Sequence, residues 1–303
     1  VLKGSQSSLY GSGAIAGTVN LYTKKGKEGH HQSGSISKNS FGTNNMNLSY
    51  NGKENNFDYH FEVTNFNSHG ISARIDDDEK DRYRNDNFVA NIGYQINNQI
   101  RTETYMNYTD TFLEYDSVGL SSTDDNSSDD QQTLFSTKLI IDNGNLLNTI
   151  AFNKTYFLRE TVTGYNSGSP TKEMHEGQRD TMNLLGQYNF NLDTKVIYGL
   201  EYEIDEAEVP SNYGPTSYYG EKRYMRHEEE IASQYVDLQF RPLEKLYVTA
   251  GVRRDSHTIA GGYNTGRATL AYEIDNNSKI RSSYGTGLRF PTLNEYYFGS
   301  TVI

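Results

Sequence analysis

From about residue 30 onward, apolar side chains recur at every second position, and this alternation limits the chain to half-buried β-strands. In "NFDYHFEVTN", Phe57, Tyr59, Phe61 and Val63 share one face, while Asp58, His60, Glu62 and Thr64 share the other. The same period runs through Phe88-Ala90-Ile92-Tyr94-Ile96, Val196-Tyr198-Leu200-Tyr202-Ile204, Val236-Leu238-Phe240, Leu246-Val248-Ala250-Val252 and Ala268-Leu270-Tyr272-Ile274. Opposite them lie wet residues: Glu201, Glu203 and Asp205; Tyr235, Asp237, Gln239 and Arg241; Arg267, Thr269 and Glu273.

The connections bear on where the apolar face goes. Tight turns are expected at Asn51 to Asn56, Asn97-Asn98, Asn143 to Asn145, Leu192 to Thr194, Pro242 to Lys245 and Asn276 to Ser278. Long polar loops are expected near 68 to 85, 114 to 131, 163 to 177, 207 to 228 and 256 to 264. Strict alternation of the two kinds puts all short turns at one end of a meander and all long loops at the other. That is the plan of an outer-membrane barrel, with an outward apolar face and a polar lumen. A soluble sandwich also alternates, but its strands are usually about 5 or 6 residues long. The segments here are long enough to cross a bilayer at a tilt of about 45°.

The fold class expected is therefore all-β: a transmembrane antiparallel up-and-down barrel of about thirteen strands, an odd number that implies part of a larger barrel. The hydrophilic average composition and net charge of −11 do not contradict this, because one face of each strand is wet. Twenty-five tyrosines suit aromatic girdles at the two membrane interfaces. Cysteine is absent, which excludes disulfides, zinc-thiolate sites and thiol nucleophiles. No run approaches the roughly 18 apolar residues of a transmembrane helix. The chain opens inside a strand-like "VLKG" and closes on "FGSTVI", which is no plausible barrel end, so it reads as a piece of a longer protein.

Ahead of the strands, "YGSGAIAGTVN" sets Gly11, Gly13 and Gly17 between "VLKG" and the β-branched "TVNLYT". A dinucleotide loop needs G-x-G-x-x-G running into a helix. Here the spacing is G-x-G-x-x-x-G, the continuation is strand-like, and no Gly-Lys-Ser/Thr follows. The glycines are read as turn formers that permit close packing.

"VLKGSQSSLYGSGAIAGTVNLYTKKG" resembles the last segment of the plug domain in TonB-dependent outer-membrane receptors, and "SYGTGLRFPTLNEYY" (283 to 297) is similar to that family's mid-barrel motif. The residues carrying the first resemblance are Lys3, Gly4, Tyr10, Gly11, Gly13, Gly17 and Asn20; those carrying the second are Gly287, Arg289, Pro291 and Glu295. Lys3, Ser5, Ala16 and Phe290 depart from the usual Arg, Pro, Gly and Ala. The resemblance implies a plug segment at 1–28 and, at 29–303, the first part of a barrel of about 22 strands with a plugged lumen. It implies a monomer in the bacterial outer membrane, in contact with lipid and lipopolysaccharide. Uptake would be driven by TonB through an N-terminal box upstream of this sequence. The ligand would be scarce: a corrinoid first, a ferric siderophore second, haem third. No catalytic residue, enzyme activity or nucleic-acid partner is expected. In the family, the residue at Lys3 belongs to a charge cluster between plug and barrel, and Glu201, Glu203 and Glu273 are candidate partners.

Two acidic stretches are expected in adjoining long loops. One holds Asp76, Asp77, Asp78 and Glu79; the other, "STDDNSSDDQ", holds Asp124, Asp125, Asp129 and Asp130. Calcium tolerates irregular cages of carboxylates, and the resemblance to cobalamin receptors implies calcium-ordered loops. Against it, neither stretch has the spacing of a dedicated site, so solvated loops and divalent bridges to lipopolysaccharide phosphates stay open. An adhesin or structural barrel is the alternative class. An enzyme is the other, with His69, His175, His227 and His257 as loop histidines outside any catalytic motif.

Overall fold

A computed structural model describes residues 2–3, 7–72, 80–116, 125–163, 171–210, 224–275 and 277–297. β1 (Leu2–Lys3) pairs with β2 (Gly17–Thr18) around the short helix α1 (Ser7–Tyr10). A single antiparallel meander follows: β3 (Gly29–Lys38), β4 (Asn44–Glu54), β5 (Phe57–Ser68), β6 (Tyr83–Gln95), β7 (Ile100–Asp116), β8 (Asp125–Asp142), β9 (Leu146–Thr163), β10 (Thr171–Asn189), β11 (Thr194–Pro210), β12 (Tyr224–Leu243), β13 (Leu246–His257), β14 (Gly261–Glu273) and β15 (Lys279–Gly285). These thirteen strands form one sheet in sequence order, open at both edges, and a short helix α2 (Leu293–Tyr297) follows.

Burial is inverted relative to a soluble sheet. The deeply buried side chains are largely polar, with Asp237, Arg253, Asp255, His257, Asp58 and His60 all at 5 % exposure or less. Leu200, Val252, Met182 and Leu270, on the other face, are at least half exposed. The apolar face therefore points outward, as the alternation predicts, and the polar face lines the concave side.

One outward row of register partners shows how the strands lie. It runs Phe57, Tyr94, Thr102, Leu139, Ile150, Leu184, Leu200, Gln234, Arg254, Asn264. The row begins beside the turn at 55–56 and finishes near the turn at 258–260, at the opposite end of the sheet. A straight line of hydrogen bonds that crosses from one end to the other is the stagger of tilted barrel strands.

The short-turn end agrees with expectation. Asn55, with φ +52°, takes the left-handed position of a two-residue turn. Pro242, which has no N–H to donate, sits where the register slips between Phe240 and Leu243.

The other end departs from expectation. Strands run well into the stretches read as loops: β7 continues to Asp116, β8 starts at Asp125, β10 at Thr171 and β12 at Tyr224. The 256 to 264 stretch is strand on both sides of a tight turn at 258–260, and a five-residue connection at 39–43 joins β3 to β4. The strict alternation of short and long fails at these two places. Hydrophilic sequence in the strand overruns is paired strand, held by cross-strand polar pairs: Arg159 grips Asp130 at 2.5 Å, and Lys172 pairs with Glu160 at 2.6 Å. Likewise His175, His227 and His257 are strand residues and not loop residues. After β2 the expected extended run does not pair; Val19, Leu21 and Tyr22 are exposed.

Candidate functional site

The glycine segment lies on the concave polar face. α1 packs on β12, β13 and β14, with Ser7, Ser8 and Ala14 buried. Gly11 has φ +77°, and a Cβ there would sit 2.9 Å from Nη2 of Arg253. Any other residue would be strained by the backbone and would have to push the guanidinium aside. Arg253 is held in turn by Glu201 (2.7 Å) and Asp255 (2.7 Å), and Ser233 Oγ donates to Asp255 at 2.7 Å. A buried guanidinium needs such carboxylates.

The second motif docks onto the first. The Gly13 N–H donates to the Leu288 carbonyl at 2.9 Å, the Leu288 N–H to Ser7 Oγ at 3.2 Å and the Phe290 N–H to Ser12 Oγ at 2.8 Å. Gly287 leaves room for Ile15, which a Cβ would approach to 3.2 Å. Phe290 is buried against the His257 ring, 4.5 Å between centroids. Pro291 leads into a capping box at the start of α2: Thr292 Oγ1 accepts from the Glu295 N–H at 3.3 Å, and Glu295 Oε2 accepts from the Thr292 N–H at 2.9 Å. Arg289 Nη2 donates to both Glu295 oxygens at 2.6 Å, which holds the carboxyl below the usual glutamate range.

Between the two motifs and the strands lies a cavity of about 590 Å³. Glu201, Glu203, Asp205, Glu229 and Asp255 face it, against Arg179, Arg253 and Arg289. It is a carboxylate-rich chamber that suits cations and hydrogen-bond donors.

A second anchor fixes the strap between β2 and β3. Lys24 pairs with Glu62 at 3.0 Å, and Lys25 pairs with Glu103, a buried carboxylate that also takes Arg101 (2.9 Å) and Lys138 (2.9 Å). Asn91 Nδ2 donates to Thr23 Oγ1 and to the Lys24 carbonyl.

The remaining candidate residues fall as follows. Lys3 pairs with Gly17 through the backbone, and its side chain lies outside the described residues, as does Gly4. Of the carboxylates considered for Lys3, Glu201 is paired with Arg253, Glu273 with Lys279 (2.8 Å), and Glu203 is 3.5 Å from Arg179. Tyr10 ends α1, and Asn20 is exposed beyond β2. Asp124 and the acidic run at 76–79 lie outside the described residues, and Asp125 opens β8. Asp129 and Asp130 are strand neighbours on opposite faces: Asp130 points inward and is gripped by Arg159 at 2.5 Å, while Asp129 sits on the outward row with Phe112. They do not converge on one ion, and among the described residues no group of three or more His, Asp and Glu is placed to hold a metal.

Sequence reasoning missed Arg253, Asp255 and Glu229, and read His257, the last residue of β13, as a loop histidine. Buried His257 accepts the N–H groups of Ile259 (3.0 Å) and Ala260 (3.2 Å) on Nδ1, closing the 258–260 turn, and its Nε2 lies 3.3 Å from Glu229. The available signal was "RRDSH" (253–257), which sets Arg253, Asp255 and His257 on the inward face of a strand whose outward face is apolar from Leu246 to Val252.

The TonB-dependent receptor-like β-barrel family model matches residues 28–303. The chain belongs to that family. A vitamin B12 transporter, BtuB, of Photobacterium profundum is 24% identical over 316 residues, covering 98% of this chain and 47% of that protein. The ferric enterobactin receptor PfeA (G324V) of Pseudomonas aeruginosa superposes with a TM-score of 0.76 at 13% identity, over 97% of this chain and 48% of that one. The siderophore receptor PirA of Acinetobacter baumannii gives 0.74 at 16% identity, over 96% and 48%. These superpositions show the family's fold. The chain spans about half the length of the relatives it matches.

Proposed function

We propose that the protein containing this chain is a bacterial outer-membrane receptor that takes up a scarce ligand, a corrinoid or a ferric siderophore, with energy delivered through TonB. On this reading 1–28 is the end of the plug, and 29–303 belongs to the barrel. The carrying observation is the docking of the glycine segment, through Ser7, Ser12 and Gly13, onto Leu288 and Phe290 across the concave polar face. Such docking gives a lumenal domain a fixed seat inside the wall. The likeness to a vitamin B12 transporter puts corrinoid first, and the fold shared with siderophore receptors keeps ferric siderophores second. The long-loop end would face the medium.

The test is uptake of radiolabelled cobalamin, and separately of ⁵⁵Fe-loaded siderophores, by cells whose only such receptor is the full-length protein, with and without TonB. Saturable uptake that needs TonB for one ligand supports the reading. Ligand-independent growth and no saturable binding of either class would overturn it.

A further inference from the structure

The carboxylate-rich chamber between the two motifs does not balance its own charge. Arg179 is held by Asp205 through two bonds of 2.5 Å, Arg253 by Glu201 and Asp255, and Arg289 by both oxygens of Glu295 in its own motif. Five carboxylates, Glu201, Glu203, Asp205, Glu229 and Asp255, are thus left against Arg179 and Arg253, and among the described residues three negative charges are uncompensated. Glu203 is approached by Arg179 at 3.5 Å. Glu229 and Asp255 are 4 % and 1 % exposed, yet Glu229 Oε2 and Asp255 Oδ2 accept no hydrogen bond.

A desolvated carboxylate oxygen that faces no donor is costly, and a ligand N–H that reaches it removes that cost. An anion brought to the same place meets like charge and finds no arginine free of a carboxylate. The inward Arg159 on β9 is likewise gripped by Asp130. Asp205, Glu229 and Asp255 lie in the halves of β11, β12 and β13 toward the long-loop end, the side from which a receptor of this plan would be filled.

We propose that Glu203, Glu229 and Asp255 form a subsite that accepts N–H groups of the imported ligand, so that the receptor selects an uncharged or cationic ligand bearing amide or ammonium groups and rejects polyanionic ferric chelates. A corrinoid, whose rim carries carboxamides, fits this requirement, as does a cationic ferric hydroxamate. A ferric catecholate, a polyanion, does not. The inference rests on the receptor reading and narrows its ligand.

Full-length protein in detergent is titrated calorimetrically with cyanocobalamin, ferrioxamine B and ferric enterobactin, which are neutral, cationic and anionic in turn. Cyanocobalamin or ferrioxamine B should bind about tenfold more tightly than ferric enterobactin, the effect of one charge-assisted hydrogen bond. Glu229→Gln, and Glu203→Gln at the least buried of the three carboxylates, keep side-chain size and remove charge, and each should lower that preference about tenfold. Heat-modifiable mobility reports a folded barrel, and should Glu229→Gln fail to fold, Glu203→Gln decides alone. Lys154→Gln, whose cation pairs with Asp180 on the outward face, should leave all three affinities unchanged. Tightest binding of ferric enterobactin, a preference unchanged in the folded variants, or an equal loss for all three ligands would each overturn the subsite. TonB-dependent uptake of ferric enterobactin in preference to the other two would overturn it while leaving the receptor reading standing, whereas no saturable binding of any of the three would take the receptor reading down as well.

Discussion

Gly11 shows how a single side chain can be opposed twice. Its φ of +77° strains any residue with a Cβ, and the Arg253 guanidinium would have to shift to make room for one. Gly11→Ala should cost about 1–2 kcal/mol from the left-handed backbone alone, and displacement of Arg253 from Glu201 adds to it. Thermal unfolding of the full-length protein reads the loss; an unchanged midpoint would mean that the segment does not seat there. Glu295 gives a pH-dependent counterpart. Arg289 lowers its pKa, so the cap's contribution is complete above the ordinary glutamate range and disappears as pH falls through the depressed value. Protease susceptibility of 287–297 should rise in acid, and Glu295→Gln should abolish that rise. The glycines and the Thr-x-x-Glu cap could be read from sequence because their chemistry is local. The seat of Gly11 could not, since Arg253 follows it by more than two hundred residues and only the sheet brings them together.

Among the elements, the strands were legible in period and in face, and illegible in length. Leu200, Leu238 and their rows do point outward. The overrun into Asp125–Gln131 and Thr171–Gly177 was hidden because polar residues on both faces of a strand leave no period to detect. Leu238→Arg should therefore cost about 2–4 kcal/mol if it lies near the bilayer centre. The heat-modifiable shift of the folded barrel in vesicles measures it; if Gln239→Leu proves the damaging change instead, the faces are inverted. The β13–β14 turn should weaken by about 1–3 kcal/mol in His257→Ala, which strands two N–H groups, as hydrogen exchange at Ile259 and Ala260 would report.

At the scale of the molecule, the strap at 23–28 is fixed to the wall by charge and amide contacts. Glu103 gathers three cations from separate segments: Lys25 on the strap, Arg101 on β7 and Lys138 on β8. Glu103→Ala leaves them facing one another, so trypsin should cut after Lys24 and Lys25 about tenfold faster than in the wild type, the expected readout of a locally less stable segment. Unchanged cleavage would place the strap's hold elsewhere.

The hydrogen bond from Leu288 to Ser7 Oγ spans 281 residues of sequence, whereas the strands pair only with their sequence neighbours. The two differ in the order in which they can form. Each hairpin closes a short loop and can zip onto the last, whereas the glycine segment has a seat only once β12 to β14 and Leu288 and Phe290 have come together, at the far end of a long loop. Docking is thus a late event in folding, resembling the capture of a tethered peptide by a finished surface. A sheet whose β12 to β14 hairpins have formed but whose glycine segment has yet to seat should exist as a folding intermediate. Its signature would be a slow phase in the burial of Phe290 after the strands have acquired their protection from exchange.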